Sequence, residues 1–537
     1  MQWIWKQSRS FHNAIIQSTA IDLLSMGLSL AAIYFSKQTI DIATGTQEGN
    51  LWTNAIIMAV CIVGSMTTGI LCPWIAEKAS LRFQMQLQTL LNGRMMTAAW
   101  KDGQRWHTGD ILNRLVKDCA EVVQLVVTTI PSLIVTLIEL TAALVFLFML
   151  DSRIAWMILL STPLLLLSKM YYKRMRQLSK EWKRNDSRVD SILQENITSR
   201  LLIASLGATN MRKTMLEKGL QDRLSTGMEQ LKLAVFSKGI LQSVFNGGYL
   251  LAFLVGIYYL SEQLISFGTM VAFIQLVGKV QSPALQLIGF IPGMIRIRTS
   301  VERIMELDEC NCEKERNQVL IRHAENLKIE NLHFGYTARK IIEGVSFMAR
   351  AGEPLAIVGP TGAGKTTLIR LIAGILEPHE GTIFLQGDGK RWDTAKLKRT
   401  NFVYVPQGNS LFSGSIRENL RMVNHEASDE RLKKVLDIAC ADFVWELPHG
   451  MDTKIGEKGF GLSEGQAQRL AVARALLLPG SIWIFDEVTA ALDATTAQRL
   501  ISNLLTAGKD KILLFVTHDA ALKERCAQSI YIYKKVA

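Results

Sequence analysis

Hydrophobic and polar positions follow two different rules along this chain. In its first half, six apolar stretches near 15–36, 54–76, 128–150, 154–172, 240–260 and 266–289 reach bilayer-spanning length, about 20 residues each. Two long polar connections separate the second span from the third and the fourth from the fifth. Within them, Leu81–Met96 and Glu181–Glu195 lack proline and keep apolar residues at helical spacing. That pattern predicts helices continuing beyond the bilayer, each broken once, at His107–Asp110 and at Leu206–Asn210. Paired helices with a short tip would present a small contact element to another domain. After about Ile291 no stretch is long enough to span, and short apolar strands alternate with polar helices, the α/β pattern. A charged segment, Glu302–Glu325, marks the boundary. The expected domains are therefore an all-α six-helix membrane domain over 1–310 and an α/β domain over 327–537.

Charge then fixes orientation. The 537 residues are 49% hydrophobic and carry a formal net charge of +12, which raises nucleic acid or a membrane surface as partner. Residues 1–310 hold 30 basic and 22 acidic residues, against 30 and 26 in 311–537. In the first part the Lys and Arg residues gather in the two long connections. Seven lie from Lys78 to Lys117 and fifteen from Lys169 to Lys238, while the other three connections hold only Lys37 and Arg153. By the positive-inside rule both long connections and both termini face the cytoplasm, so the charge is an orientation signal and no nucleic-acid partner is expected. The first span follows Lys6 and Arg9, exceeds a signal h-region and lacks a small-residue cleavage site, so it is expected to remain in the membrane. The seven cysteines are scattered, with one lone CxC at Cys310 and Cys312, and read as reduced thiols without a zinc site.

The chemistry lies in the second part. Leu355-Ala356-Ile357-Val358 reads as a buried strand and runs into Gly359-Pro360-Thr361-Gly362-Ala363-Gly364-Lys365-Thr366-Thr367, followed by an apolar helix. This is a P-loop in its strand–loop–helix context. Its glycines let successive backbone N–H groups point at phosphate oxygens, and the helix N-terminus adds positive potential. Lys365 is expected on the β- and γ-phosphates of ATP, with the Thr366 hydroxyl on Mg²⁺. Ile482–Phe485 is an apolar strand ending in Asp486 and Glu487. Asp486 suits Mg²⁺, directly or through water, and Glu487 suits a general base for the attacking water.

With these motifs in order, residues from about 327 to 537 resemble the nucleotide-binding domain of an ATP-binding cassette (ABC) protein. Leu462-Ser463-Glu464-Gly465-Gln466 resembles the signature LSGGQ, which implies that Ser463, Gly465 and Gln466 bind the γ-phosphate of an ATP held on a second subunit's P-loop. The resemblance further implies Gln407 as the Q-loop residue near metal and water, His518 as the switch histidine on the γ-phosphate and Tyr336 as the aromatic that stacks on adenine. Ala490-Ala491-Leu492-Asp493 resembles the D-loop. Six spans ahead of one cassette resemble the exporter half-transporters of the family, with coupling-helix loops near 100–112 and 198–210. Gly456–Gly459 resembles the cassette loop that touches them.

That resemblance implies ATP-driven export, or inner-to-outer leaflet flipping, of a lipid, drug-like compound or peptide. It would run by alternating access in a dimer, a homodimer in preference to a heterodimer, in a bacterial inner membrane. An ATP-gated channel or nucleotide-sensing regulator on the same fold is the alternative. Glu464 and Ala490 depart from the family pattern, adding a carboxylate and removing a hydroxyl. For the substrate, the pointers are the intramembrane ionisable residues Asp22, Glu139 and Lys279. Glu139 is expected to line the cavity, and Lys279 to snorkel toward the inner interface.

Overall fold

The computed structural model describes all residues except 1, 101–105, 107, 151–155, 157–167, 314–318, 337–339, 409, 457–458, 460 and 534–537. The expected fourth span, 154–172, therefore lies mostly outside the described residues, and Glu457 and Lys458 lie wholly outside them. The chain divides into two compact units, Met1–Met96 with Trp106–Glu309 and Thr97–Arg105 with Cys310–Ala537.

The first unit is helical. Helix α1 (His12–Ala43) and helix α2 (Leu51–Thr97) contain the first two expected spans. Helix α3 runs from Thr108 to Leu150 with two π-helical turns, Arg114–Asp118 and Leu125–Thr129. Helix α4 is Ser168–Thr198, α5 the short Arg200–Ser205, α6 Thr209–Ser261 and α7 Phe267–Asp308. Among the described residues three helices, α1, α2 and α3, are long and apolar enough to cross a membrane. Apolar side chains on α2 point outward, Ile70 being 73% exposed, which is stable against lipid and not against water.

Past the spans the helices become polar and pack on one another, as the helical spacing in the long connections predicts. Asn185 of α4 donates to the Thr226 hydroxyl of α6 at 2.9 Å, and Arg223 pairs with Asp186 at 3.0 Å. The break expected at Leu206–Asn210 is present, with Gly207 at φ 64° between α5 and α6. Helices α3 and α7 are joined by a polar network: Arg114, nearly buried, pairs with Glu306 at 2.7 Å and Asp110 at 2.9 Å, and Arg303 reaches Asp110 at 2.6 Å.

The second unit is α/β. An antiparallel sheet has the order β2-β1-β4-β5, from β1 (Ala324–Phe334), β2 (Ile342–Arg350), β4 (Glu380–Gly387) and β5 (Lys390–Asp393). A parallel sheet has the order β11-β3-β10-β9-β6. Its strands are β3 (Leu355–Val358), β6 (Phe402–Val405), β9 (Ile482–Asp486), β10 (Ile512–Val516) and β11 (Gln528–Tyr531). The remaining strands, β7 (Gly414–Ser415) and β8 (Lys454–Ile455), pair with each other. Both faces of the parallel sheet are covered, as parallel sheets require. Ile482, Ile484, Ile512, Leu514 and Val516 pack on one side, and Trp483, Phe485, Leu513 and Phe515 on the other.

Asn401, just before β6, is fully buried and ties the entry segment to the sheet. Its side chain accepts from Ile321 N–H at 2.8 Å and donates to the carbonyls of Val319 and Lys398, each at 2.9 Å. Removing it leaves the buried Ile321 N–H without its acceptor and takes a donor from the carbonyls of Val319 and Lys398. Asn401→Ala is expected to cost about 2–3 kcal/mol and lower the melting temperature of this unit by roughly 5–10 °C. An unchanged melting temperature in thermal unfolding would contradict that reading of the side chain.

Candidate functional site

Four loops leave the parallel sheet at the C-terminal ends of their strands, the edge where open α/β sheets bind ligands. The register sets them side by side. Val516 of β10 faces Ile357 of β3 and Asp486 of β9, and Val405 of β6 faces Phe485. The segments that follow are 359–367 after β3, 406–408 after β6, Glu487 after β9 and 517–519 after β10.

The first loop leads into helix α8 (Lys365–Ile372). Gly362 and Gly364 have φ of 79° and 98°, which side-chain-bearing residues seldom adopt. Through these turns the loop curls over the N-terminus of α8. Lys365 is nearly buried; its ammonium donates to the carbonyls of Gly359 at 2.8 Å and Pro360 at 3.2 Å, and lies 2.8 Å from His518 Nε2. Burial lowers the Lys365 pKa, while Glu487 and Asp486 raise it. Thr367 is buried beneath the loop, and Pro360 and Thr361 are exposed at its rim. Beside the loop a cavity of about 510 Å³ is lined by Gly362, Ala363, Ile341 and Val345.

The carboxylates differ in environment. Asp486 is 1% exposed and accepts from the Thr366 hydroxyl at 3.2 Å. Burial pushes its pKa up, opposed by the Thr366 hydrogen bond. Glu487 is turned out of the strand with φ 54°, although its N–H still bonds to Val516 O at 3.0 Å. Left-handed backbone at a residue other than glycine is strained and is concentrated at functional sites. The Glu487 carboxylate accepts from Gln407 Nε2 at 2.7 Å and lies 3.4 Å from His518 Nε2. Lys365, Thr366, Asp486, Glu487, Gln407 and His518 thus form one connected cluster.

Two residues of this cluster's support carry no sequence signal of their own. Gln468, buried on helix α9 (Glu464–Ala475), donates to the Glu487 carbonyl at 2.9 Å and holds the strained turn. Arg370 lies 3.4 Å from the Tyr336 hydroxyl, and Tyr336 packs edge-on against Phe334 at the end of β1. Polar residues inside an amphipathic helix look alike in sequence whether they meet water or a backbone carbonyl.

The donor set also suits Mg²⁺. Among the described residues no three His, Cys, Asp or Glu side chains gather as a metal cage. Mg²⁺ bound to a nucleotide keeps waters and phosphate oxygens and needs only one or two protein oxygens, which Asp486 and Thr366 supply.

Ser463, Gly465 and Gln466 form no hydrogen bond to the cluster among the described residues. Ser463 caps α9, its hydroxyl accepting from Gln466 N–H at 3.2 Å while the Gln466 side chain accepts from Ser463 N–H at 2.9 Å. Glu464 is exposed in the first turn, where a carboxylate favours the helix dipole. Gly465 is packed so closely that a Cβ there would lie 2.5 Å from the Ala491 carbonyl. The 490–493 loop is thereby locked to the start of α9, and Asp493 caps the next helix, α10 (Ala494–Ala507).

Residues 15–283 match the family model for the ABC transporter transmembrane region, and residues 342–490 match that for ABC transporter. A Rickettsia bellii protein, provisionally named an export ATP-binding/permease protein, is 28% identical over 86% of this chain and 81% of its own length. An ATP-dependent lipid A-core flippase of Desulfotalea psychrophila is 26% identical over 80% of this chain and 76% of its length. The structure of a bacterial Atm1-family ABC exporter with ATP bound superposes with a TM-score of 0.81 at 21% identity, covering 97% of this chain and 93% of that one.

The buried Asp486 yields a prediction with a sign. Because its folded pKa is raised, its stabilising contribution is present at low pH and lost as pH rises through that raised value. Asp486→Asn should therefore hold or raise the melting temperature without nucleotide at pH 8. Mg²⁺-dependent ATP hydrolysis should fall about 100-fold or more. A melting temperature well below that of the parent at pH 8 would refute the desolvation argument.

Proposed function

Because this chain belongs to the ABC transporter family, its membrane region and cassette fused in one polypeptide, we propose that it is one half of an ATP-driven exporter. It is an ATPase coupled to transport. Two copies sandwich two ATP molecules between their cassettes and move an amphiphilic compound, a lipid, drug-like molecule or peptide, across the membrane or between its leaflets. The relative named as a lipid A-core flippase supports the flipping form of this reading.

One observation carries the dimer. Everything needed to activate water gathers around Glu487, yet the N-terminus of α9, with its Ser463 cap exposed, stands outside that cluster. An exposed helix N-terminus carries positive potential that suits an anion, here the γ-phosphate of a nucleotide on the second copy. Since one chain carries both half-sites in full, a homodimer is the simplest assembly. Glu464 adds negative charge beside this docking point and weakens it, while Ala490 leaves the 490–493 loop without a hydroxyl for signalling across the dimer.

In the reaction, Lys365 exchanges its bonds to Gly359 and Pro360 for β- and γ-phosphate oxygens, and Gly359 through Thr367 wrap the triphosphate. Tyr336 stacks on adenine. Mg²⁺, held by Asp486, Thr366 and Gln407, would neutralise phosphate charge. Glu487 accepts the proton of the attacking water, and His518, between Lys365 and Glu487, contacts the γ-phosphate. Gln407 reports the state of this site through its hydrogen bond to Glu487. Six spans, cytoplasmic termini and a bacterial inner membrane complete the reading, supported by the asymmetric Lys and Arg distribution and the bacterial relatives.

Lys365→Ala is expected to abolish ATP binding. Glu487→Gln should bind ATP, hydrolyse it about 100- to 10,000-fold more slowly and accumulate as a closed, nucleotide-loaded dimer. Binding by equilibrium dialysis and turnover by phosphate release check both. Unchanged turnover in Glu487→Gln would remove Glu487 from the role of base.

A further inference from the structure

Inside the membrane unit, α1, α2, α3 and α7 line an open cavity of about 340 Å³, at the small end of ligand pockets and on the order of ten waters in size. Three ionisable side chains line it: Asp22 from α1, Glu139 from α3 and Lys279 from α7. Lys279 does not snorkel to the interface as its position suggested. Its ammonium pairs with Glu139 at 3.4 Å, with both side chains partly buried. A lysine in a span finds a carboxylate on a neighbouring helix cheaper than stretching to water, because the pair neutralises both charges where desolvation costs most.

That leaves Asp22 over. Among the described residues it accepts no hydrogen bond and pairs with no cation, and its nearest ionisable neighbour of like charge is Glu139. Two carboxyl groups against one ammonium leave the cavity one acidic group in excess. The rest of the lining divides by character: Ser25, Ser29 and Ser65 offer hydroxyls, while Met26, Met66 and Val135 offer apolar surface. Ser25 donates to the Ser65 carbonyl at 3.1 Å, which joins the α1 and α2 walls. Methionines shape themselves to varied apolar bodies.

The geometry points to this cavity as a binding site for amphiphiles bearing a single positive charge, the cationic group meeting Asp22 and the apolar body lying against Met26 and Met66. This deepens the exporter reading and rests on it. The Glu139–Lys279 pair holds the second carboxylate neutral toward the ligand, so a monocation balances the site and an anion does not. Anionic amphiphiles would find the one lysine already engaged.

The full chain in lipid nanodiscs tests this with two probes of nearly equal shape and opposite charge, tetraphenylphosphonium and tetraphenylborate. Binding is read by equilibrium dialysis without nucleotide, and phosphate release from the same preparation is measured separately. Loss of cation binding with ATPase intact rejects the cavity assignment alone, whereas absence of ATPase rejects the transporter reading. Saturable binding of tetraphenylphosphonium over tetraphenylborate is expected. Asp22→Asn should weaken it about tenfold or more, with recovery in Asp22→Glu. Lys279→Met, which frees Glu139, should tighten it several-fold, a gain that a misfolded variant does not produce. Equal binding of both probes, preference for tetraphenylborate, unaltered affinity in Asp22→Asn, or weaker cation binding in Lys279→Met would each overturn the proposal.

Discussion

The functional half of this chain depends on one constraint, the parallel register of β3, β10, β9 and β6. These strands are buried on both faces, with Ile484 and Leu514 packed on one side and Phe485 and Phe515 on the other. A slip of one residue would exchange the faces and move every loop that follows. Held in register, β3 delivers the glycine loop and Lys365, β9 delivers Asp486 and Glu487, β10 delivers His518 and β6 delivers Gln407. Hydrogen bonds of 2.7–3.2 Å then connect neighbours that lie up to 153 residues apart in sequence.

Charge follows the same economy in both units. In the nucleotide site Lys365 is buried beside Asp486 and Glu487, so cation and carboxylates sustain one another where water is scarce. In the membrane unit Lys279 and Glu139 do so across two helices. Where a charge exceeds its partners, chemistry or binding is the natural consequence: Glu487, strained out of its strand, and Asp22, left without a cation. The exposed start of α9 shows the converse. There Glu464 takes up the helix N-terminus's positive potential that the family pattern leaves for phosphate.

Much of this was legible in the sequence because short motifs at strand ends carry their own backbone demands. Glycines at 362 and 364 mark left-handed turns, and an apolar run ending in two carboxylates marks a strand reaching a site. Helical periodicity foretold the long extensions of α2 and α4. Tertiary partners were not legible. Lys279, inside the sixth span, was expected to snorkel toward the interface, but a carboxylate on another helix captured it. Gln468 and Asn401 hold backbone groups distant in sequence, and no local period encodes that. The first π-helical turn of α3 likewise holds partners no local pattern names, Arg114 pairing with Glu306 and Asp118 with Arg303 of α7.

The central claim is that each working site combines one copy's P-loop cluster with the other copy's α9 N-terminus. Mixing two inactive variants tests it most directly. A chain with Lys365→Ala keeps an intact Ser463 end, and a chain with Ser463→Arg keeps an intact P-loop cluster. Each alone should lack ATPase activity, and co-assembly should restore a substantial fraction of it, from mixed dimers holding one complete site. Full turnover by the Ser463→Arg chain alone, or no recovery in verified mixed dimers, would contradict the shared site.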